Sequence, residues 1–500
     1  MATDRSICIH GHFYQPPREN PWTGKVGRQA SAAPFHDWNQ RITSECYAPN
    51  AAARLLDSSG ALLETLNNYS LISFDFGPTL LSWLEVNDPH TYSKVLEADR
   101  HSANAFSGHG SAMAQAYNHA IMPLADAETR RTQVAWGIAD FKRRFGRQPE
   151  GMWLPETAAD VPTLASLAEG GIKYTVLSPL QALRTRPAHS ETWTEVGTGR
   201  IDSRRPYLVD LPSGEEMTIF FYDGGLSHGV AFGRLLEDGE SFVRALRGSF
   251  SEGSRPELVS IATDGETYGH HRRFGEMALA YCLRHLGDGV RLTNYSEYLS
   301  LHTPEDYVEI VEPSSWSCPH GVLRWRGGCV CGSTGAPGWS SQWREALRGT
   351  IDWLGSRIDA VYSEVGGQYL KDPVRARDDY CAAFLGGSDA LDAFFSSHAR
   401  TPVAGARGTM AELLEMERYG QLMYTSCGWF FEDISRIESK QVIAYALRAA
   451  QIAGQMAGAD LVSGFLKRLE SCTCNDPRYA TGRTVAEEVL ATSRTGPSRP

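Results

Sequence analysis

Over its first 300 or so residues the chain alternates short apolar runs with stretches in helical periodicity. That alternation predicts strands joined by helices, the sequence form of a parallel α/β sheet or barrel. The apolar runs place strands over residues 6–10, 71–76, 151–154, 174–178, 217–222 and 258–263. One unit is fully punctuated. GMWLPE is followed by Asp160 as a helix N-cap and Pro162 in the first turn, and the helix runs to Glu169. Gly170-Gly171 stops it and YTVLS begins the next strand, so the unit is a strand–helix–strand crossover. A second helix is expected over 126–145, ended by Gly146.

The pattern then changes. Residues 304–345 are rich in Pro, Gly, Ser and Trp and read as an irregular segment, longer than a loop without a task tends to be. Beyond it almost everything is helical, with helices expected over 347–365, 375–384, 409–424, 434–456 and 459–469. The expected division is a catalytic β/α domain over 1–303, a connecting segment over 304–345 and a helical domain over 346–484. The polar stretch 485–500 is expected as a disordered tail.

Composition narrows the function classes. A chain of 500 residues with 42% hydrophobic and 21% charged residues can bury full cores. Its net charge of −11 argues against nucleic acid or an anionic membrane as partner. No apolar run reaches membrane-spanning length, and the N-terminal stretch lacks the apolar region of a secretory signal. Ten cysteines without a regular framework fit a cytoplasmic setting.

Most expected strands end in polar residues: His10 and His12, Asp75, Glu156, Asp223 with His228, and Asp264 with Glu266. In a β/α barrel, groups at the carboxyl ends of strands converge on one mouth, where the chemistry takes place. Taken singly, each has a plainer reading. Glu156 is also a favourable acid at a helix N-terminus, and Asp264-Gly265 is also a common turn dipeptide. Two carboxyl groups from distant parts of the chain are nevertheless what glycoside chemistry demands, one on each side of a sugar bond.

Three stretches, IHGHFYQPPREN, GMWLPE and TDGETYGHH, together resemble conserved stretches of glycoside hydrolase family 57 in residue type, order and spacing. FSGHGSAMAQAYNH at 106–119 resembles a further one. YTSCGWFFED at 424–433 lies where the family has a fifth, which there contains Ser-Asp-Trp. Trp429 is kept here, but Cys427-Gly428 replaces the acidic position. SSWSCPHGVLRWRGGCVCG and the helices after it resemble a C-terminal domain found in one bacterial branch of the family. The resemblance implies an incomplete (β/α)7 TIM-like barrel followed by an all-helical domain that completes the active site. It also implies a retaining mechanism on α-glucans or related oligosaccharides, with no cofactor. By motif position Glu156 corresponds to the nucleophile and Asp264 to the acid/base. His10, His12, Trp153, Glu266, His270, His271, His109 and Trp429 become expected substrate-binding or supporting residues.

Two other functions stay open at this point. His10 and His12 lie on one face of a strand and with Asp264 offer a zinc set, as in polysaccharide deacetylases, although that leaves the WLPE stretch unexplained. The altered fifth stretch also admits a non-catalytic glucan-binding protein. A separate cluster, Cys318, His320, Cys329 and Cys331, offers four soft ligands within fourteen residues. Its Cys-x-Cys spacing is not the usual structural-zinc spacing, so buried thiols in a Gly-rich loop are the simpler expectation. Of the twelve tryptophans, Trp316, Trp325 and Trp339 fall in the irregular segment, where they are candidates for stacking on sugar rings.

Overall fold

The structure is a computed structural model that describes residues 4–331, 338–400 and 403–494. Seven parallel strands form the heart of the first unit. They are β1 (Arg5–Phe13), β2 (Ser73–Phe76), β3 (Ala112–Gln115), β4 (Met152–Trp153), β5 (Tyr174–Leu177), β6 (Glu216–Phe221) and β7 (Glu257–Asp264). Their order around the sheet is β7-β1-β2-β3-β4, continued by a single bridge, Gly151 to Tyr174, into β5 and β6. The ring does not close on a full ladder. The edge of β6 is taken by an antiparallel strand, Tyr207–Asp210, which leads on to Asp306–Ile310 and Ala182–Pro187. β7 therefore meets β6 mainly where Asp223 N donates to Ser260 O at 2.8 Å. This is the incomplete (β/α)7 architecture.

Six of the seven strands were expected. β3 was missed because AMAQ carries only four residues for a pattern to show. The 304–345 segment is also less irregular than expected, since Asp306–Ile310 is a strand in the side sheet and Leu323–Arg326 a short helix.

The chain divides into two compact units that interleave in sequence. The first holds residues 1–15, 28–115 and 144–312; the second holds 16–27, 116–143 and 313–500. A linear boundary near 303 thus leaves out two excursions of the chain. The second unit is helical, built on Trp343–Tyr369, Pro373–Leu385, Val403–Leu422 and Ile437–Ala457. Ser388–His398, unexpected from sequence, adds a further helix that buries Phe394 and Phe395. Gly482–Arg494 is a helix too, where a disordered tail was expected, because Val485, Ala486 and Val489 fall on one buried face. Residues 495–500 of that tail lie outside the described residues. No described helix is long and apolar enough to cross a membrane.

Candidate functional site

Strand register assembles the site. β1 pairs with β7 on one side and β2 on the other, and His12 is the direct partner of both Asp264 and Asp75. Three polar residues from positions 12, 75 and 264 therefore share one layer at the carboxyl end of the sheet. Next round the ring, Gln115 is the partner of Trp153, and Glu156 follows three residues after it.

Asp75 is the hub. Its two oxygens bind His10 Nε2 at 3.1 Å and His12 Nδ1 at 2.8 Å, while His10 Nδ1 meets Ser73 Oγ at 3.1 Å. Asp75 is fully buried, which by itself would raise its pKa, but the two imidazoles hold it below the usual carboxylate range. The histidines diverge. Burial lowers His10 despite Asp75, so it is the neutral member. Burial also opposes charge on His12, yet Asp75, helped by Asp264 and Glu266, raises it to about 9. His10 lies flat on Trp153 with ring centroids 4.5 Å apart, and the Trp153 ring also stacks on His12 at 5.4 Å.

Asp264 ends β7 with its side chain open to solvent, whereas the seven residues before it are buried. The protein mass around its carboxyl raises its pKa, His12 and His271 pull it back, and Asp75 adds to the rise. Because water reaches the group, that rise is smaller than an enclosed carboxyl would show. Glu266, two residues on, is buried and accepts from Tyr14 N at 3.0 Å and Tyr47 Oη at 2.5 Å. Burial and then the Asp264 charge push it up to about 7. Two glycines allow this turn. A side chain at Gly265 would collide with the Phe13 ring, and one at Gly269 (φ +150°) with the Glu45 carbonyl.

Glu156 occupies a strained turn. Its backbone is left-handed (φ 57°, ψ 20°), and Thr157 follows at φ 47°. Left-handed non-glycine residues cost on the order of 1–3 kcal/mol each and persist where neighbours over-determine them. Here Thr157 N donates to Leu154 O, Thr157 Oγ1 donates to Gln181 Oε1 and Gln181 Nε2 donates to Thr157 O, all at 2.8 Å. Glu156 itself is 9% exposed and follows the end of β4.

The remaining expected residues have other partners. His109 precedes β3 and pairs with Glu150, which precedes β4, at 2.8 Å. It therefore lies at the amino ends of the strands, opposite the carboxylates. His270 binds Glu45 at 2.5 Å and, with Arg41, Arg54, Arg273 and Phe274, lines a cleft of about 650 Å³ that includes neither Glu156 nor Asp264. His271 is exposed beside it. Trp429 is buried in the helical unit with its indole N–H on Arg344 O at 3.1 Å. Of the tryptophans offered for stacking, Trp325 is buried and bound to Ser426 O, and Trp339 is 40% exposed.

Three residues at the site carried no clear sequence signal. Asp75 was visible only as one polar strand end among several. Tyr47 lies in a short helical region with no motif around it. Gln115, at the end of the missed strand, is 2% exposed and neither amide atom has a hydrogen-bond partner. A buried amide left in that state is a candidate ligand group.

Comparison with known proteins agrees with this fold. Residues 339–499 match the model of a domain of unknown function (DUF3536). The chain is 24% identical over 261 residues to a 4-α-glucanotransferase of Thermococcus litoralis, covering 50% of this chain and 36% of that protein. It is 25% identical over 199 residues to α-amylase 1 of Dictyoglomus thermophilum, covering 40% and 26%. The chain thus spans roughly a third of the length of these relatives. In fold it is similar to a maltose-forming exo-amylase from Pyrococcus sp. ST04, with a TM-score of 0.69 at 15% identity over 93% of this chain and 82% of that one. A branching enzyme from Pyrococcus horikoshii aligns with a TM-score of 0.57 at 15% identity, over 99% and 95%. Residues 18–315, more than half of the chain, match the glycosyl hydrolase family 57 model, and the chain belongs to that family.

Proposed function

We propose that this protein cleaves or transfers α-glycosidic bonds in glucans or related oligosaccharides by double displacement, in a cytoplasmic setting. Glu156 is the nucleophile and Asp264 the acid/base. The observation that carries the reading is the strand-end layer, which puts the raised carboxyl of Asp264 in register with His12 and Asp75 on the same sheet whose β4 leads into Glu156. The names of the family relatives, an amylase and a glucanotransferase, are in keeping with it.

In the first step a Glu156 oxygen attacks the anomeric carbon. The bond to the leaving sugar breaks, and its oxygen takes the proton of Asp264. The glycosyl ester neutralises Glu156, so Asp264 is then free to ionise. It removes a proton from water or a sugar hydroxyl, which attacks the same carbon and releases the Glu156 carboxylate. His12 adds positive charge beside Asp264, and Gln115 offers its unpartnered amide to a sugar hydroxyl. Both ring nitrogens of His10 are engaged, by Asp75 and Ser73, which leaves it no lone pair for a metal shared with His12. This disfavours the deacetylase reading.

The decisive test uses Asp264→Asn. It should lose about 10²–10⁴-fold on natural glucans but still react with an activated aryl or fluoride glycoside, whose leaving group needs no proton. A sugar adduct should then accumulate and map to Glu156 by peptide mass spectrometry, while Glu156→Gln is inactive on every substrate. An adduct on another residue, or inverted product at early times by NMR, overturns the assignment.

A further inference from the structure

The segment 313–331, ahead of the helix Trp343–Tyr369, has little regular structure. Between residues 313 and 331 it forms one four-residue helix and turns through three left-handed glycines, Gly321, Gly327 and Gly328. Yet it holds one of the tightest gatherings of soft ligands in the molecule. One ligand atom from each of Cys318, His320, Cys329 and Cys331 lies within 4.8 Å of all the others. Cys318 Sγ is 3.6 Å from Cys329 Sγ and 3.3 Å from Cys331 Sγ, and Cys329 Sγ is 3.3 Å from His320 Nδ1. Zinc bonds of about 2.3 Å to sulfur and about 2.0–2.1 Å to nitrogen put tetrahedral ligand atoms roughly 3.5–3.8 Å apart, close to these separations.

Cys329 and Cys331 are also in bonding contact and can close on each other as a disulfide. That pair alone, however, gives no reason for Cys318 and His320 to converge on it. The surroundings supply a second observation. Three thiolates, one neutral imidazole and a dication carry one net negative charge, which needs compensation when half-buried. Two buried arginines provide it. Arg324 Nη2 is 3.8 Å from Cys331 Sγ, and Arg344 Nη1 donates to Cys329 O at 2.8 Å. The backbone N of Cys331 donates to Cys329 Sγ at 3.2 Å, as amides do around metal-bound thiolates.

We propose that Cys318, His320, Cys329 and Cys331 bind one zinc ion in the reduced protein, as a structural site. The Cys-x-His and Cys-x-Cys pairs act as two short arms closed by the metal. The site pins the segment to the stretch around Trp429, because Arg344 also donates to Phe430 O and Phe431 O, and Trp325 to Ser426 O. Four protein ligands leave no open position, so the ion has no part in turnover.

The test is the metal content of the full chain purified under reducing conditions. One zinc per chain is expected, lost in Cys318→Ser and in His320→Ala but kept in Cys282→Ser, whose thiol is buried elsewhere. If the ligand variants fail to fold, wild-type protein loaded with cobalt decides, because tetrahedral thiolate ligation gives sulfur-to-cobalt charge-transfer bands that an unbound ion lacks. Absence of zinc after zinc is added back, absence of those bands, or full alkylation-resistance of Cys329 and Cys331 as a disulfide in freshly lysed cells would each overturn the proposal.

Discussion

The barrel mouth and the Cys/His segment both collect reactive side chains, but they do so by opposite means. At the mouth, His12, Asp75 and Asp264 are neighbours because three parallel strands are in register, although up to 252 residues separate them. In the segment, fourteen residues fold back on themselves through tight turns. The first arrangement is stiff, since His12 and Asp75 are fixed by ladders on both sides and Asp264 by the ladder to β1. The second has little regular structure, so its shape rests on side-chain contacts such as those of Trp325 and Arg324 and on the proposed cross-link.

The largest effect should come from cutting the chain. One ending near residue 305 keeps residues 16–27 and 116–143, which belong to the helical unit, without the remainder of that unit. Their apolar faces, including Trp136 and Val134, would be bared, and the product should aggregate. A soluble, active truncate by size-exclusion chromatography and assay would show that the two units are separable.

A smaller effect should mark the stored charge at the mouth. Glu266 is raised from 4.5 to about 7, so the native state binds its proton more tightly than the unfolded chain does. Its contribution to stability is fully present below pH 4.5 and is lost as pH rises through about 7. Glu266→Gln should remove up to about 1.4 kcal/mol per pH unit of that slope in denaturation curves between those limits. An unaltered slope would mean that Glu266 is charged throughout. Activity should fall on the alkaline side as Asp264 loses its proton.

Gln115→Leu separates a ligand group from a packing group. Replacing an unpartnered buried amide by an apolar side chain of similar size should leave stability equal or higher, while kcat/KM falls about tenfold. A loss of stability with kinetics unchanged would return Gln115 to the core. The smallest effect on turnover sharpens the contrast most directly. Chelation should leave activity intact, because the carboxylate pair needs no metal, yet lower the melting temperature through the Cys/His segment. Loss of turnover restored by zinc would place a metal at the mouth.

The sequence by itself determined much of this protein. Six of seven strands, the change to helices, and the carboxylates in WLPE and TDGETYGHH follow from local periodicity and from residue types at strand ends. These are properties of short windows, where apolar burial and turn chemistry act within a few residues. The tertiary structure decided what depends on partners far along the chain. β3 became a strand because β2 and β4 flank it, and Gln115 entered the site with it. His109 went to the amino ends with Glu150, since a polar residue just ahead of a four-residue strand looks the same in sequence as one just after it. Asp75 became the hub through registry with β1, and the opposite pKa shifts of His10 and His12 followed from burial and from Asp264 and Glu266 near His12. Burial and opposing charge act over distances that a linear chain does not encode, so these assignments required the folded sheet.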